Sequence, residues 1–223
     1  MTLKHQTSSV FVFRRLPGGW RIGLIRHPRF RRTMIPGGHV EPDESPAEAA
    51  VREVAEETGL AVTLVSPPAA PVPPGYRARR VAPPWWIAEY QVPPDNHLDV
   101  AHVHVDHLYV ALADGMVPAP DRALPPGEAL PGAGEQSPGG ERAPGAARAS
   151  GGERAPGTVR ASGGEWAPGA AALPFGWYAA GDLAGLDMFD DARVLALSLL
   201  AGLANGADTV GAAEALVAGL GRA

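Results

Sequence analysis

Between Val117 and Pro174 the chain changes character: 12 glycines and 10 prolines fall within 58 residues, and Leu124, Leu130, Trp166 and Leu173 are almost its only large apolar side chains. A stretch of that composition cannot remove enough apolar surface from water to offset the entropy lost on ordering it. Within it GGERAPGAARAS from residue 139, GGERAPGTVRAS from 151 and GGEWAPGAA from 163 recur with a period of 12. No hydrophobic face recurs with them, so the copies read as a duplicated, disordered linker and not as a stacking architecture. What remains, about 165 residues, suits one domain with a sizeable core. The expected organisation is a first part over residues 5–116, an insertion over 117–174, and a final part over 175–222.

The 223 residues include no cysteine, which rules out disulfides, thiolate metal sites and a thiol nucleophile. The start, Met1 to Ser9, is polar, and the apolar run behind it stops at Arg14 and Arg15, unlike a secretory signal. The uncharged stretch Val194 to Ala207 falls short of the ~18 to 20 apolar residues that span a bilayer. The expectation is a soluble, cytoplasmic protein. Its net charge of -5 is unevenly laid out, with eight Lys or Arg and no acid in residues 1–40, then seven acids and one Arg in 41–57. Two such poles are either solvated surface or a means of holding an anionic substrate through cations.

Ser8 to Phe13 and Trp20 to Ile25 are β-branched and aromatic runs joined by Leu16-Pro17-Gly18-Gly19, the pattern of a hairpin. Arg26 to Arg32 reads as a basic loop. Further strands are expected at Val62 to Val65, Trp85 to Val92, His102 to Ala111 and Phe175 to Tyr178. Helical spacing marks Asp190 to Leu203, and Gly211 to Leu220 reads as another short helix. The firmest element is a helix over Pro46 to Thr58. Ser45 and Glu48 form a capping box, Pro46 sits at the first helical position, and Gly59 stands where a C-terminal cap belongs.

At ~100° per residue, Ala47, Val51, Val54, Ala55 and Thr58 share one sector of this helix, and Glu53, Glu56 and Glu57 the opposite one. Arg52 lies beside the glutamates, within reach of Glu48 and Glu56 at i-4 and i+4. Such a face is either a solvated surface or a set of oxygen donors for a hard divalent cation, which cancels the repulsion between the carboxylates. The flanking residues bear on that choice. From Gly38 the chain runs five residues to Glu44, seven more to Arg52, and on through Glu53-Val54-Ala55-Glu56-Glu57-Thr58-Gly59-Leu60. This spacing matches the Nudix box, G-x5-E-x7-R-E-U-x-E-E-x-G-U, at every defined position. With its seven fixed residues each drawn at ~1 in 15, a chance match over ~200 windows is on the order of one in a million.

The chain therefore resembles the Nudix hydrolases. Pro36-Gly37-Gly38-His39-Val40-Glu41 resembles the family's lead-in to the box, and Trp177 to Leu186 its late strand and helix, whereas the 117–174 insertion has no counterpart. The resemblance implies an α/β/α sandwich around a mixed β-sheet. It implies hydrolysis of a nucleoside diphosphate linked to another group, with Mg²⁺ or Mn²⁺ as the cofactor. Glu53, Glu56 and Glu57 would be the metal ligands, with Glu53 or a neighbour orienting or deprotonating the water. Gly37 would offer its carbonyl to the metal, and Arg52 would hold the glutamates in position. Arg26, Arg29, Arg31 and Arg32 are candidates for the substrate's phosphates. A further carboxylate ligand outside the box is common in the family, and Glu89, Asp95 and Asp99 are candidates. The implied partner is a small-molecule nucleotide, with no membrane or nucleic acid, and a homodimer is left open.

Two other readings compete. One is a Nudix-like domain that senses a nucleotide without hydrolysing it, against which the full carboxylate set argues. The other starts from residues 102–107, HVHVDH, which fit the H-x-H-x-D-H pattern of the dinuclear zinc metallohydrolases. That fold needs further ligands downstream, yet His107 is the last of the seven histidines and an apolar strand follows it. Alternation puts His102, His104 and Asp106 on one face of this strand, where they would border an active cleft. Trp85, Trp86, Tyr90 and Tyr109 are either core residues or stacking partners for a base.

Overall fold

The computed structural model describes residues 2–68, 70, 72–95, 98–113 and 173–205. The expected insertion, apart from Leu173 and Pro174, and the helix expected over 211–220 lie outside these residues. Eight strands form one sheet: β1 (Lys4–Leu16), β2 (Gly19–His27), β3 (Arg32–Met34), β4 (Gly37–His39), β5 (Val62–Val65), β6 (Trp86–Val92), β7 (His102–Ala113) and β8 (Phe175–Tyr178). Two α-helices, α1 (Pro46–Thr58) and α2 (Asp190–Asn205), and a short 3₁₀ turn at Ala180–Gly185 complete the described elements.

The sheet is mixed. Its central pair, β1 and β7, is parallel over Lys4↔Val103 to Phe13↔Leu112, and the other pairings are antiparallel. Along β1, the end near Leu16 turns into β2 through Pro17 and Gly18, with Gly18 at φ 89. The other end pairs with β4, from Thr7↔His39 to Ser9↔Gly37. On the far side of β7, β6 covers the first half and β5 the second.

Side-chain alternation along β1 builds the layers, because successive residues of a strand face opposite sides of the sheet. Val10 and Val12 join Ala47, Ala50, Val51 and Val54 of α1 in one buried cluster. Phe11 and Phe13 point the other way and pack with Leu199, Leu200 and Leu203 of α2. The sheet thus lies between two helices, giving the α/β/α sandwich that the resemblance implied. Each core apolar side chain contributes roughly 1.5–3 kcal/mol of transfer free energy, so both helices are fixed by packing more than by their own propensity.

Helix α1 has the bounds that the sequence sets. Ser45 accepts from the Glu48 backbone N–H while Glu48 accepts from that of Ser45, and Gly59 ends the helix at φ 71, a left-handed conformation natural to glycine. Leu173 and Pro174 bring the chain back onto this unit. The Leu173 N–H donates to the carbonyl of Glu57, and the Arg26 N–H to that of Pro174. Helix α2 runs on to Asn205, two residues past its expected end. Among the described residues no helix is long and apolar enough to cross a membrane.

The least expected strand is β4, since Gly37-Gly38-His39 has none of the β-branched residues that mark strands. It forms because the backbone approaches β1 closely. A Cβ on Gly37 would stand 2.4 Å from the Ser8 carbonyl oxygen and 2.8 Å from the Ser9 Cα. Those contacts are to backbone and cannot swing aside. Gly37→Ala is therefore expected to cost about 1–3 kcal/mol of stability, the range for overpacking, read by urea unfolding. An unchanged midpoint would show that β4 is free to shift.

Candidate active site

Strand β4 ends where α1 begins to present its polar face, and the two glycines let the carboxylates close on it. Glu57 Oε2 accepts the Gly37 N–H at 2.9 Å. A Cβ on Gly38 would lie 2.3 Å from Glu53 Oε1, so only glycine leaves room for that carboxylate. Glu53 and Glu57, four residues apart, thus sit over Gly37–Gly38. Glu56 departs from the trio read in the sequence: its side chain is 51% exposed against 14% for Glu53.

Arg52 ties the group together. Its guanidinium donates through Nε and Nη2 to both oxygens of Glu44, at 3.1 and 2.6 Å. Nη1 donates to Glu53 at 2.8 Å and to Glu56 at 3.1 Å, and Nη2 also reaches the His39 carbonyl at 3.0 Å. A planar fork with five donors can serve several acceptors in this way, and a lysine cannot. Glu44, a fixed position of the box, is thereby an anchor for Arg52. Sequence reasoning gave it no role, although its spacing was the signal.

The electrostatics follow from burial. Glu57 is pushed up to about 7, chiefly by burial and further by Glu53 and Glu56, against the opposing Gly37 N–H. Burial also raises Glu53, with Arg52 opposing it. Glu44 goes the other way: burial raises it, but its hydrogen bonds from Arg52 and the Glu41 backbone outweigh that and leave it below the ordinary carboxylate range. The cluster is thus short of positive charge at Glu53 and Glu57, and its donors there are all oxygen. That is the chemistry a hard divalent cation requires, so the residues present fit Mg²⁺ or Mn²⁺.

The four arginines of the basic segment are partly committed. Arg26 lies in β2 and Arg32 in β3, with Arg29 and Arg31 in the turn between them. Arg29 donates to the Pro94 carbonyl at 3.3 Å, and its guanidinium lies 5.7 Å from the centre of the Phe30 ring. Arg32 pairs with Asp187 at 3.2 Å and stacks 4.9 Å from the Phe189 ring. Arg31 takes φ 52. Among the stacking candidates, Tyr109 is buried in the core cluster on the α1 side of the sheet, and Trp85 and Trp86 pack against the cluster on the α2 side. Tyr90 lies half-buried on β6, opposite His104.

The outside carboxylates separate cleanly. Glu89 pairs with Lys4 at the surface, and Asp99 is exposed. Asp95, 5% exposed, lies beside His102 and His104. The other two residues of the HVHVDH motif are engaged elsewhere. Asp106 accepts from Thr7 Oγ1 at 3.0 Å, and His107 Nδ1 lies 3.1 Å from the Thr7 carbonyl, with its side chain on the opposite face of the sheet. The six residues therefore do not converge as one dinuclear site.

The family model described as NUDIX domain matches residues 4–129, more than half of the 223-residue chain, and the chain belongs to that family. It is similar to a Lactococcus lactis subsp. cremoris (strain MG1363) protein named "Probable DHNTP pyrophosphohydrolase", with 46% identity over 40 residues, 18% of this chain. That match spans 24% of the relative's own length. Among solved structures, a NUDIX-family hydrolase from Clostridium perfringens superposes with a TM-score of 0.50 at 20% identity, covering 86% of this chain and 93% of that one. The Escherichia coli dihydroneopterin triphosphate pyrophosphohydrolase gives a TM-score of 0.44 at 12% identity, covering 92% and 99%. These likenesses concern the fold.

The raised Glu57 has a consequence for stability in chelator-treated protein. A carboxyl whose folded value lies above its unfolded one keeps its proton in the fold while the unfolded chain has lost it. Stability therefore falls as pH rises from about 4.5 to about 7 and stays lowered above that. Glu57→Gln removes the charge and keeps an acceptor for Gly37. In EDTA it is expected to exceed the parent by on the order of 3 kcal/mol at pH 8 and to match it near pH 4.5. Urea titrations at the two pH values decide the matter, and a pH-independent difference would contradict the assigned burial of the charge.

Proposed function

We propose that this protein is a divalent-metal-dependent pyrophosphohydrolase that cleaves the diphosphate of a nucleoside diphosphate linked to another group. The observation that carries the reading is the pair Glu53 and Glu57 over Gly37–Gly38, with Glu57 raised to about 7 and Arg52 fastened to Glu44 beside them. Metal ligands would be Glu53, Glu56, Glu57 and the Gly37 carbonyl. When bound there, Mg²⁺ or Mn²⁺ would offset charge on the phosphoryl oxygens and acidify a water.

The chain's own residues account for the rest. Burial raises Glu57 to about 7 and lifts Glu53 above its ordinary value, and a raised carboxylate is the more ready to take a proton from an attacking water. The Gly37 N–H fixes one oxygen of Glu57, and the Nη1 of Arg52 fixes one of Glu53, leaving the others to face the reaction. Arg52 neither attacks nor transfers a proton; it holds Glu53 and Glu56 in register with the His39 carbonyl. Arg26, Arg29, Arg31 and Arg32 supply positive charge for the distal phosphates, where bidentate guanidinium contacts suit phosphate geometry.

The test is incubation of the purified protein, with Mg²⁺, against nucleoside triphosphates, ADP-ribose, dinucleoside polyphosphates, NADH and DHNTP, with the products separated by chromatography: a triphosphate gives a monophosphate and pyrophosphate, and ADP-ribose or NADH gives two monophosphates. DHNTP is included because the Lactococcus relative's name carries it. Turnover of at least one is expected, with Glu57→Gln slower by about 100-fold or more while remaining folded. Tight binding of one compound without turnover of any would instead make the protein a nucleotide sensor. Because every residue named here lies outside residues 118–172, joining Val117 to Leu173 by a short linker is expected to leave turnover within about threefold of the parent. Loss of activity in a folded deletion variant would place part of the site in the removed segment.

A further inference from the structure

Away from the glutamates, the same strand β4 contributes to a second group of donors. His39 pairs with Thr7 of β1, and His5, two residues along β1, pairs with His104 of β7. Directly opposed residues share a face and i, i+2 residues repeat it, so His5, His39, His102 and His104 all project from one side of the sheet. That side is the one that Phe11 and Phe13 give to α2, opposite to the side on which Gly38 meets Glu53. Asp95, which follows β6, reaches into the same group.

Two overlapping sets of donors lie close together here, sharing Asp95 and His104. One ligand atom each from His39, Asp95 and His104 lie within 4.8 Å of one another. His102 Nε2 is 3.1 Å from His104 Nε2 and 3.5 Å from Asp95 Oδ2, and His104 Nε2 is 3.9 Å from that same oxygen. Ligands bound at ~2.1 Å in a tetrahedron stand about 3.4 Å apart, and those three separations bracket that value. The ring of His102 is also oriented as a ligand would be. Its Nδ1 lies 3.0 Å from the Val100 carbonyl, an acceptor only, so Nδ1 carries the proton and Nε2 turns its lone pair toward His104 and Asp95. A backbone carbonyl holding the far nitrogen is the usual support behind a metal-binding imidazole. The side chains of His102 and Asp95 are 0% and 5% exposed, so the donors are already desolvated together.

We propose that His39, Asp95 and His104, with His102 beside the last two, bind a borderline-soft divalent cation of the Zn²⁺ kind, at a site separate from the carboxylates of α1. Imidazole-rich donors select Zn²⁺, Co²⁺ or Ni²⁺, whereas Mg²⁺ prefers an all-oxygen shell. The ion would cross-link β4, β7 and the segment that follows β6. The HVHVDH motif supplies His104 and, beside it, His102, and the other donors come from residues 39 and 95, which the motif alone did not reveal.

Equilibrium dialysis of the full chain against micromolar Zn²⁺ in millimolar Mg²⁺, with metal analysis, is expected to give one retained Zn²⁺ per chain. His39→Gln, Asp95→Asn and His104→Gln are each expected to weaken it about 10- to 100-fold. Glu53→Gln with Glu57→Gln is expected to leave it unchanged. X-ray absorption on the parent protein loaded with Zn²⁺ needs no variant: a shell with at least two imidazoles supports the site. No retained Zn²⁺, an all-oxygen shell, or loss in the glutamate variant in place of the histidine ones would overturn it, and the group would then be a hydrogen-bonded histidine–aspartate cluster.

Discussion

Arg52 is the interaction on which the candidate site depends. Four carboxylates, Glu44, Glu53, Glu56 and Glu57, crowd the polar face of α1 and its approach, and like charges ~4 Å apart repel by about 4 kcal/mol at an effective dielectric of 20. One guanidinium bonds to three of them and to the His39 carbonyl. Its strongest grip is the two-pronged one on Glu44, which is not on α1. The arginine is thereby anchored to the approach and holds the helix face from outside, so that Glu53 is fixed without losing both its oxygens. Glu57, which Arg52 does not touch, is held by backbone instead and carries the larger upward push.

Strand β1 sets the geometry around that helix. Its even-numbered residues Val10 and Val12 bind α1 into one core and its odd-numbered Phe11 and Phe13 bind α2 into the other. The same alternation continues to its other end, where Ser8 Oγ donates to the Pro46 carbonyl at the start of α1 and Thr7 Oγ1 donates to Asp106 on the α2 side. Because β4 is registered on this end, Gly38 inherits the α1 face and His39 the α2 face. Two adjacent residues thus belong to two different chemical environments, oxygen donors on one side and imidazoles on the other.

How much of this was legible in the sequence follows from how local each cause is. Helix α1, from its Ser45 cap to Gly59, was readable to the residue because the capping box, Pro46 and the glycine act within a turn of the chain. The β1–β2 hairpin and β5 were readable for the same reason, and the metal-type donor set from fixed spacing on one helix. Strand β4 was not, since Gly37-Gly38-His39 has no strand propensity and pairs only because Ser8 and Ser9 admit a bare backbone. The near-burial of Glu53 against the exposure of Glu56 was equally hidden, because a helical wheel places both on one face and only the position of β4 tells them apart. The histidine group is the extreme case: its members come from residues 39, 95, 102 and 104, and the parallel register of β1 with β7, a pairing of distant segments, brings them to one place.

The two donor sets also meet at β4. Its backbone is gripped on one side by Glu57 at the Gly37 N–H and by Arg52 at the His39 carbonyl, and its His39 side chain belongs to the other side. A strand of three residues, paired along Ser9, Ser8 and Thr7, has little freedom to move one end without the other. Gly37 sets how closely the two strands lie, because a Cβ there would meet the Ser8 carbonyl and the Ser9 Cα, while Gly38 leaves its space to the Glu53 carboxylate.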